Sequence, residues 1–196
     1  MANNVYEIKE SSIADPGPLG LACFALTTFV LSVKNAALVA PESLSMIIAC
    51  ALVYGGTTQI LAGMWEFKKN NVFGATAFTS YGAFWISWGF FEIGALLKWF
   101  VVPPQAALLF LIAWTIFTFY MWIGSFGTNK ALVTTFTLLL LAFILLTIGA
   151  AGNAAAHTWG GYVGILTAIV AWYTSAAGVI NTVFGRVVCP VGPCKK

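Results

Sequence analysis

The chain has 196 residues, of which 60% are hydrophobic, 15% aromatic and only 8% charged, with a formal net charge of +3. A soluble domain carries about a quarter charged residues, so too little polar surface is available here to coat a globule in water. The shortfall implies lipid as the solvent, and the absence of a dense basic cluster argues against nucleic acid as a partner.

The first fourteen residues, MANNVYEIKESSIA, are polar and mixed in charge. A signal peptide needs a basic start and an apolar core of about 7–15 residues, and none precedes Pro16. The expected organisation is a polar N-terminal tail (1–14), a membrane domain (15–186) and a C-terminal tail (187–196).

The membrane domain opens with DPGPLGL, where Asp15 is placed to cap a helix start and Pro16 and Pro18 suit a first turn whose N–H groups lack partners. A helix crosses the hydrocarbon with about 20 apolar residues. Six runs reach that length, near Pro18–Asn35, Leu44–Trp65, Phe73–Leu97, Pro104–Gly124, Ala131–Gly149 and Trp159–Phe184. An open strand facing lipid leaves its backbone unpaired, so the spans are helices and the fold class is an all-α, multi-pass membrane protein. Lys9, Lys68, Lys69, Lys130, Arg186, Lys195 and Lys196 fall on one side of the six-span topology, and Lys34 and Lys98 on the other. The positive-inside bias then puts both termini in the cytoplasm. Three spans plus three give halves of opposite orientation, as in inverted repeats, although the halves share only faint likeness.

Polar side chains recur at helical spacing inside these spans. Phe24, Thr27, Thr28, Leu31 and Asn35 share a face of span one, Gln59, Gly63 and Glu66 of span two, Tyr81, Trp85, Trp88 and Glu92 of span three, and Thr174, Gly178 and Asn181 of span six. Such groups either bond between helices and hold the bundle together or line a shared pathway. Hydroxyls, amides and aromatics dominate, which suits a small, partly apolar solute. Nineteen glycines, with Gly160 and Gly164 in a G-x-x-x-G and Gly55, Gly56 and Gly63 along span two, indicate close helix packing. Glu66, beside Lys68 and Lys69, reads as an interfacial ion pair, and Glu92, late in span three, as the residue to test for proton linkage.

The chemistry of an enzyme is missing. The single histidine, His157, falls in the loop expected after span five, the single aspartate is Asp15, and there is no H-E-x-x-H or phosphate loop. Cys23 and Cys50 lie in apolar runs as small hydrophobes, while Cys189 and Cys194 flank PVGP without further metal ligands nearby. No metal and no cofactor are assigned.

The motifs DPGPLGL, YGGTTQILAGMWEFKKNNVFGATAFTSYGAFW, AGN and FGR…P.G resemble the acetate uptake transporter family, the succinate–acetate permeases of the YaaH type. The likeness covers nearly the whole chain. Asp15 and Gly17 depart from the Asn and Ala usual in the signature, whose remaining positions are Pro16, Pro18, Leu19, Gly20 and Leu21. The resemblance implies a six-helix protein of the inner membrane, assembled as a hexameric ring, in which each protomer passes acetate and, in some members, succinate. It implies a hydrophobic constriction at Phe24, Tyr81 and Leu139. Thr27, Thr28, Asn35, Gln59 and Trp85 are then candidates to bind the solute, with hydroxyls and amides replacing part of a carboxylate's hydration. The residues by themselves leave two other functions open: a channel for a small neutral solute such as urea or ammonia, and a non-transporting scaffold subunit.

Overall fold

The computed structural model describes residues 13–101 and 103–194. Every regular element among them is helical: α1 (Gly17–Asn35), α2 (Leu44–Cys50), α3 (Gln59–Lys68), α4 (Val72–Leu96), α5 (Pro104–Ser125), α6 (Lys130–Ala150) and α7 (Ala154–Phe184). Residues 1–12 of the tail expected at 1–14, and Lys195 and Lys196 of the tail expected at 187–196, lie outside the described residues, as does the cation counted at Lys9.

Among the described residues, five segments are long and apolar enough to cross a membrane, with Pro41–Lys68 as one of them. The sixth, α4, has 25 residues, enough to cross, but its tyrosine, tryptophans, serines and threonines lower its hydropathy. The span expected at Leu44–Trp65 is a composite. A 3₁₀ turn (Pro41–Ser43) leads into α2, a π-helical stretch (Ala51–Thr58) follows, and α3 completes the crossing. Thr57 and Thr58 each donate a hydroxyl hydrogen bond five residues back, to the carbonyls of Leu52 and Val53 at 2.9 and 3.0 Å, within the wide turn of a π-helix.

Asparagines start three of the helices. Asn71, Asn129 and Asn153 accept the backbone N–H groups of Gly74, Leu132 and Ala156 at 3.1, 2.9 and 3.0 Å. Each satisfies one of the N–H groups left over at a helix start, a contribution of about 1 kcal/mol. Capping at Asn153 starts α7 at Ala154, five residues earlier than the hydropathy run indicates, so His157 lies in the helix and not in a loop.

Glycines set the helix order. A Cβ on Gly178, Gly164 or Gly161 would strike Pro18, Ser32 or Ala36, so α1 and α7 run antiparallel in close contact along their length. The same relation holds between the second span and α4, through Gly63 against Thr79, Gly82 against Ile60 and Gly89 against Leu52. Gly160 meets Leu146 and joins α7 to α6. Removing side chains at these contacts lets backbones approach and gain dispersion contacts in lipid, where no hydrophobic effect drives helices together. α5 is the peripheral helix: Leu109, Ile116 and Ile123 are 68%, 62% and 53% exposed, an apolar face turned to hydrocarbon.

The C-terminal segment folds back over this helical body. Asn181 donates to the Cys189 carbonyl at 2.9 Å and accepts from the amides of Val188 and Cys189 at 2.7 and 2.9 Å. Tyr173 donates its hydroxyl to the Pro190 carbonyl at 2.7 Å. The first amides of α6, at Lys130 and Ala131, donate to Gly192 and Val191. Gly185, at φ +62°, makes the left-handed turn that redirects the chain after α7.

Candidate transport pathway

Two cavities open between the helices. The first, about 300 Å³, lies at the end of the bundle where α1, α4 and α6 begin, and is lined among others by Asp15, Gln59, Glu66, Asn71 and Asn181. The second, about 200 Å³, lies toward the end where α1 and α4 finish and α7 begins, and is lined among others by Thr28, Lys34, Asn35, Trp85, Glu92 and His157. Three residues line both: Phe24 of α1, Tyr81 of α4 and Leu139 of α6. All three are buried, at 6%, 3% and 6% exposure.

The Tyr81 ring is held from several sides. Its centroid is 5.8 Å from Phe24, 5.2 Å from Phe117 in an edge-on contact and 6.3 Å from Phe136. Its hydroxyl lies 2.9 Å from the hydroxyl of Thr118, which is fully buried on α5. The polar stripes read from the sequence do not include Thr118, which lies on the inward side of α5 with Phe117 and Met121. The available signal is that Thr115 and Thr118 stand three residues apart in an otherwise apolar run, where buried hydroxyls require partners.

Several polar atoms along the cavities are buried without hydrogen-bond partners among the described residues. They include both amide atoms of Gln59, in the first cavity, and Thr28 Oγ1 and Trp85 Nε1, which line the second. An unpaired buried polar group is costly, about 1–3 kcal/mol in folded proteins, so these atoms retain unused hydrogen-bonding capacity.

Thr27 differs from its neighbour Thr28. It is fully buried, donates its hydroxyl to the Cys23 carbonyl at 3.0 Å and packs against Gly55 of the π-helical stretch. It lines neither cavity, and its role is to seat α1 on the second span. Asn35 lines the second cavity from the last residue of α1.

The ion pair expected at Glu66 is also absent. Glu66 is 1% exposed and accepts a hydrogen bond from Asn71 Nδ2 at 2.8 Å. Lys69 turns instead to Asp15, with Nζ 3.0 Å from Oδ1, and the same oxygen accepts the Gly17 amide at 3.1 Å. The negative charge at this mouth is thereby both paired and engaged at the helix start. The turn it begins is further seated by Ser175, which donates to the Pro18 carbonyl at 2.6 Å. Gly17, Pro18 and Leu21 line the first cavity, Gly20 packs on Phe78, and Leu19 faces outward at 44% exposure.

The model of the GPR1/FUN34/yaaH family matches residues 1–194. The chain belongs to this family. The succinate-acetate/proton symporter SatP of Escherichia coli strain K12 is 38% identical over 93% of this chain and 97% of its own length. A longer relative from Saccharomyces cerevisiae, the ammonia transport outward protein 2, is 36% identical over 85% of this chain, which spans 61% of that protein. Among solved structures, that of the bacterial acetate channel SatP superposes with a TM-score of 0.88 at 38% identity, covering 92% of this chain and all of that one. These family members are named as transporters or channels, none as an enzyme.

Proposed function

We propose that the chain passes acetate, and other small carboxylates, across the membrane through a pathway inside each protomer. The observation that carries this reading is that the two cavities meet at Phe24, Tyr81 and Leu139 and share no other lining residue. A solute moving between them passes these side chains. Their aromatic and aliphatic surfaces accept a methyl group and refuse a hydrated ion. The unpartnered groups on either side, Gln59 in the first cavity and Thr28 and Trp85 in the second, supply hydrogen bonds that replace part of the carboxylate's hydration. A site of neutral donors holds an anion loosely enough to release it, as conduction requires.

Both termini lie in the cytoplasm in this reading, since the Lys69, Lys130 and Arg186 end of the bundle is the more basic. The membrane is the inner membrane, and protomers associate as a ring through lipid-facing helices, with a hexamer as the expected assembly. The family also includes a yeast protein named for ammonia transport, and the uncharged constriction admits a small neutral solute as a second reading.

Flux of labelled acetate into proteoliposomes tests the proposal with Phe24→Ala and Leu139→Ala. Widening the constriction raises flux or relaxes selectivity toward larger monocarboxylates. Unchanged flux and selectivity in both variants overturns the assignment of the constriction. Ammonia uptake without acetate uptake moves the solute to the second reading.

A further inference from the structure

The second cavity has a rim unlike its floor. Phe84, Phe143 and the constriction are apolar and Thr28 and Trp85 add two unpartnered donors, while Lys34 of α1, Glu92 of α4 and His157 of α7 stand at the mouth. The lining residues contributed by α5 and α6 carry no titratable group. Lys34, Glu92 and His157 line the same cavity, yet the ion pair found among the described residues is Lys69 with Asp15. Lys34 and Glu92 therefore face a common space without being locked together. The rim offers an anion one cation, and it places a carboxylate near that cation.

We propose that Glu92 selects for monocarboxylates and against dicarboxylates at this mouth. The inference rests on the carboxylate reading above and names the group that sets its charge rule. A monocarboxylate drawn in by Lys34 passes its single charge to the Thr28 and Trp85 donors and rests its alkyl end on Phe84 and Phe143. With one carboxylate held by the Thr28 and Trp85 donors, a dicarboxylate leaves its second charge at the rim, where it meets Glu92. Like charges brought together in a partly dehydrated space repel strongly enough to act as a selectivity filter.

The test uses the full chain in proteoliposomes at pH 7, with succinate and propionate competing against labelled acetate. The readout is the ratio of the half-inhibiting concentration of succinate to that of propionate. In Glu92→Gln and in Glu92→Leu this ratio falls about tenfold or more relative to the unmodified chain, because only the doubly charged competitor feels the lost carboxylate. The Leu variant suits an apolar helix and serves if the Gln variant inserts poorly. If flux in a variant is too small for competition, the same ratio is read from thermal stabilisation of the detergent-purified protein by each acid. An unchanged ratio in both variants overturns the role of Glu92. Absence of acetate flux in the unmodified chain, with stabilisation by neither acid, overturns the carboxylate reading together with it.

Discussion

Replacing Tyr81 with Phe isolates one contact in the proposed constriction. The ring and its packing on Phe24, at 5.8 Å, are retained, and the lost atom is the hydroxyl 2.9 Å from Thr118 Oγ1. Both residues are buried, at 3% and 0% exposure, so the bond does not compete with bulk water. Side-chain hydrogen bonds within membrane bundles contribute about 0.6 kcal/mol on average and up to about 1.7. At about 1 kcal/mol the ring's preference for its present orientation falls roughly fivefold. Acetate flux should rise, and discrimination against bulkier monocarboxylates should weaken. Thr118→Val removes the same bond from the other side and should have the same effect. The double variant should resemble either single one, since a shared contact is lost only once. Proteoliposome flux with acetate and butyrate measures selectivity, and thermal unfolding of the detergent-purified protein measures the coupling. Additive effects of the two substitutions, or a Tyr81→Phe variant with unchanged selectivity, would refute the argument that Thr118 latches the ring.

Two further outcomes are expected. Asp15→Asn removes a partly exposed ion pair with Lys69 but keeps an oxygen for the Gly17 amide, so stability should change by less than about 1 kcal/mol. Acetate uptake at low salt should rise and converge with that of the unmodified chain as salt screens the mouth, as flux measured across an ionic-strength series will show. Asn181→Ala removes three hydrogen bonds to residues 188 and 189, which should free the C-terminal segment and destabilise the protein by about 1–3 kcal/mol. Limited proteolysis with mass spectrometry should then detect cleavage within 187–194 that the unmodified chain resists.

Much of the bundle was legible because lipid imposes a simple rule. Backbone groups in hydrocarbon must pair within a helix, so runs of about 20 apolar residues give α1, α5 and α6 to within a residue or two. The 3.6-residue period also brought Gln59 and Glu66 to one cavity, with Thr174, Gly178 and Asn181 across from them. The π-helical stretch escaped this reading, since its wider turn arises where Gly55 meets Thr27 and Gly56 meets Ile86, contacts between helices distant in sequence. Likewise, hydropathy puts His157 in a loop, because it locates where a helix becomes apolar and not where Asn153 caps it.

The division between Thr27 and Thr28 states the limit most clearly. They are adjacent in sequence and belong to the same nominal face, yet Thr27 is seated on Gly55 and Thr28 lines a cavity. Sequence by itself determined that this is a helical membrane bundle with polar and aromatic stripes, because helix period and transfer into lipid are properties of each segment alone. Tertiary structure decided which stripe residues face a cavity, that Leu139 among several leucines meets Phe24 and Tyr81, and that Lys69 pairs with Asp15 rather than Glu66. These outcomes depend on the rotation and closeness of neighbouring helices, which are set by which side chains are small enough at each crossing.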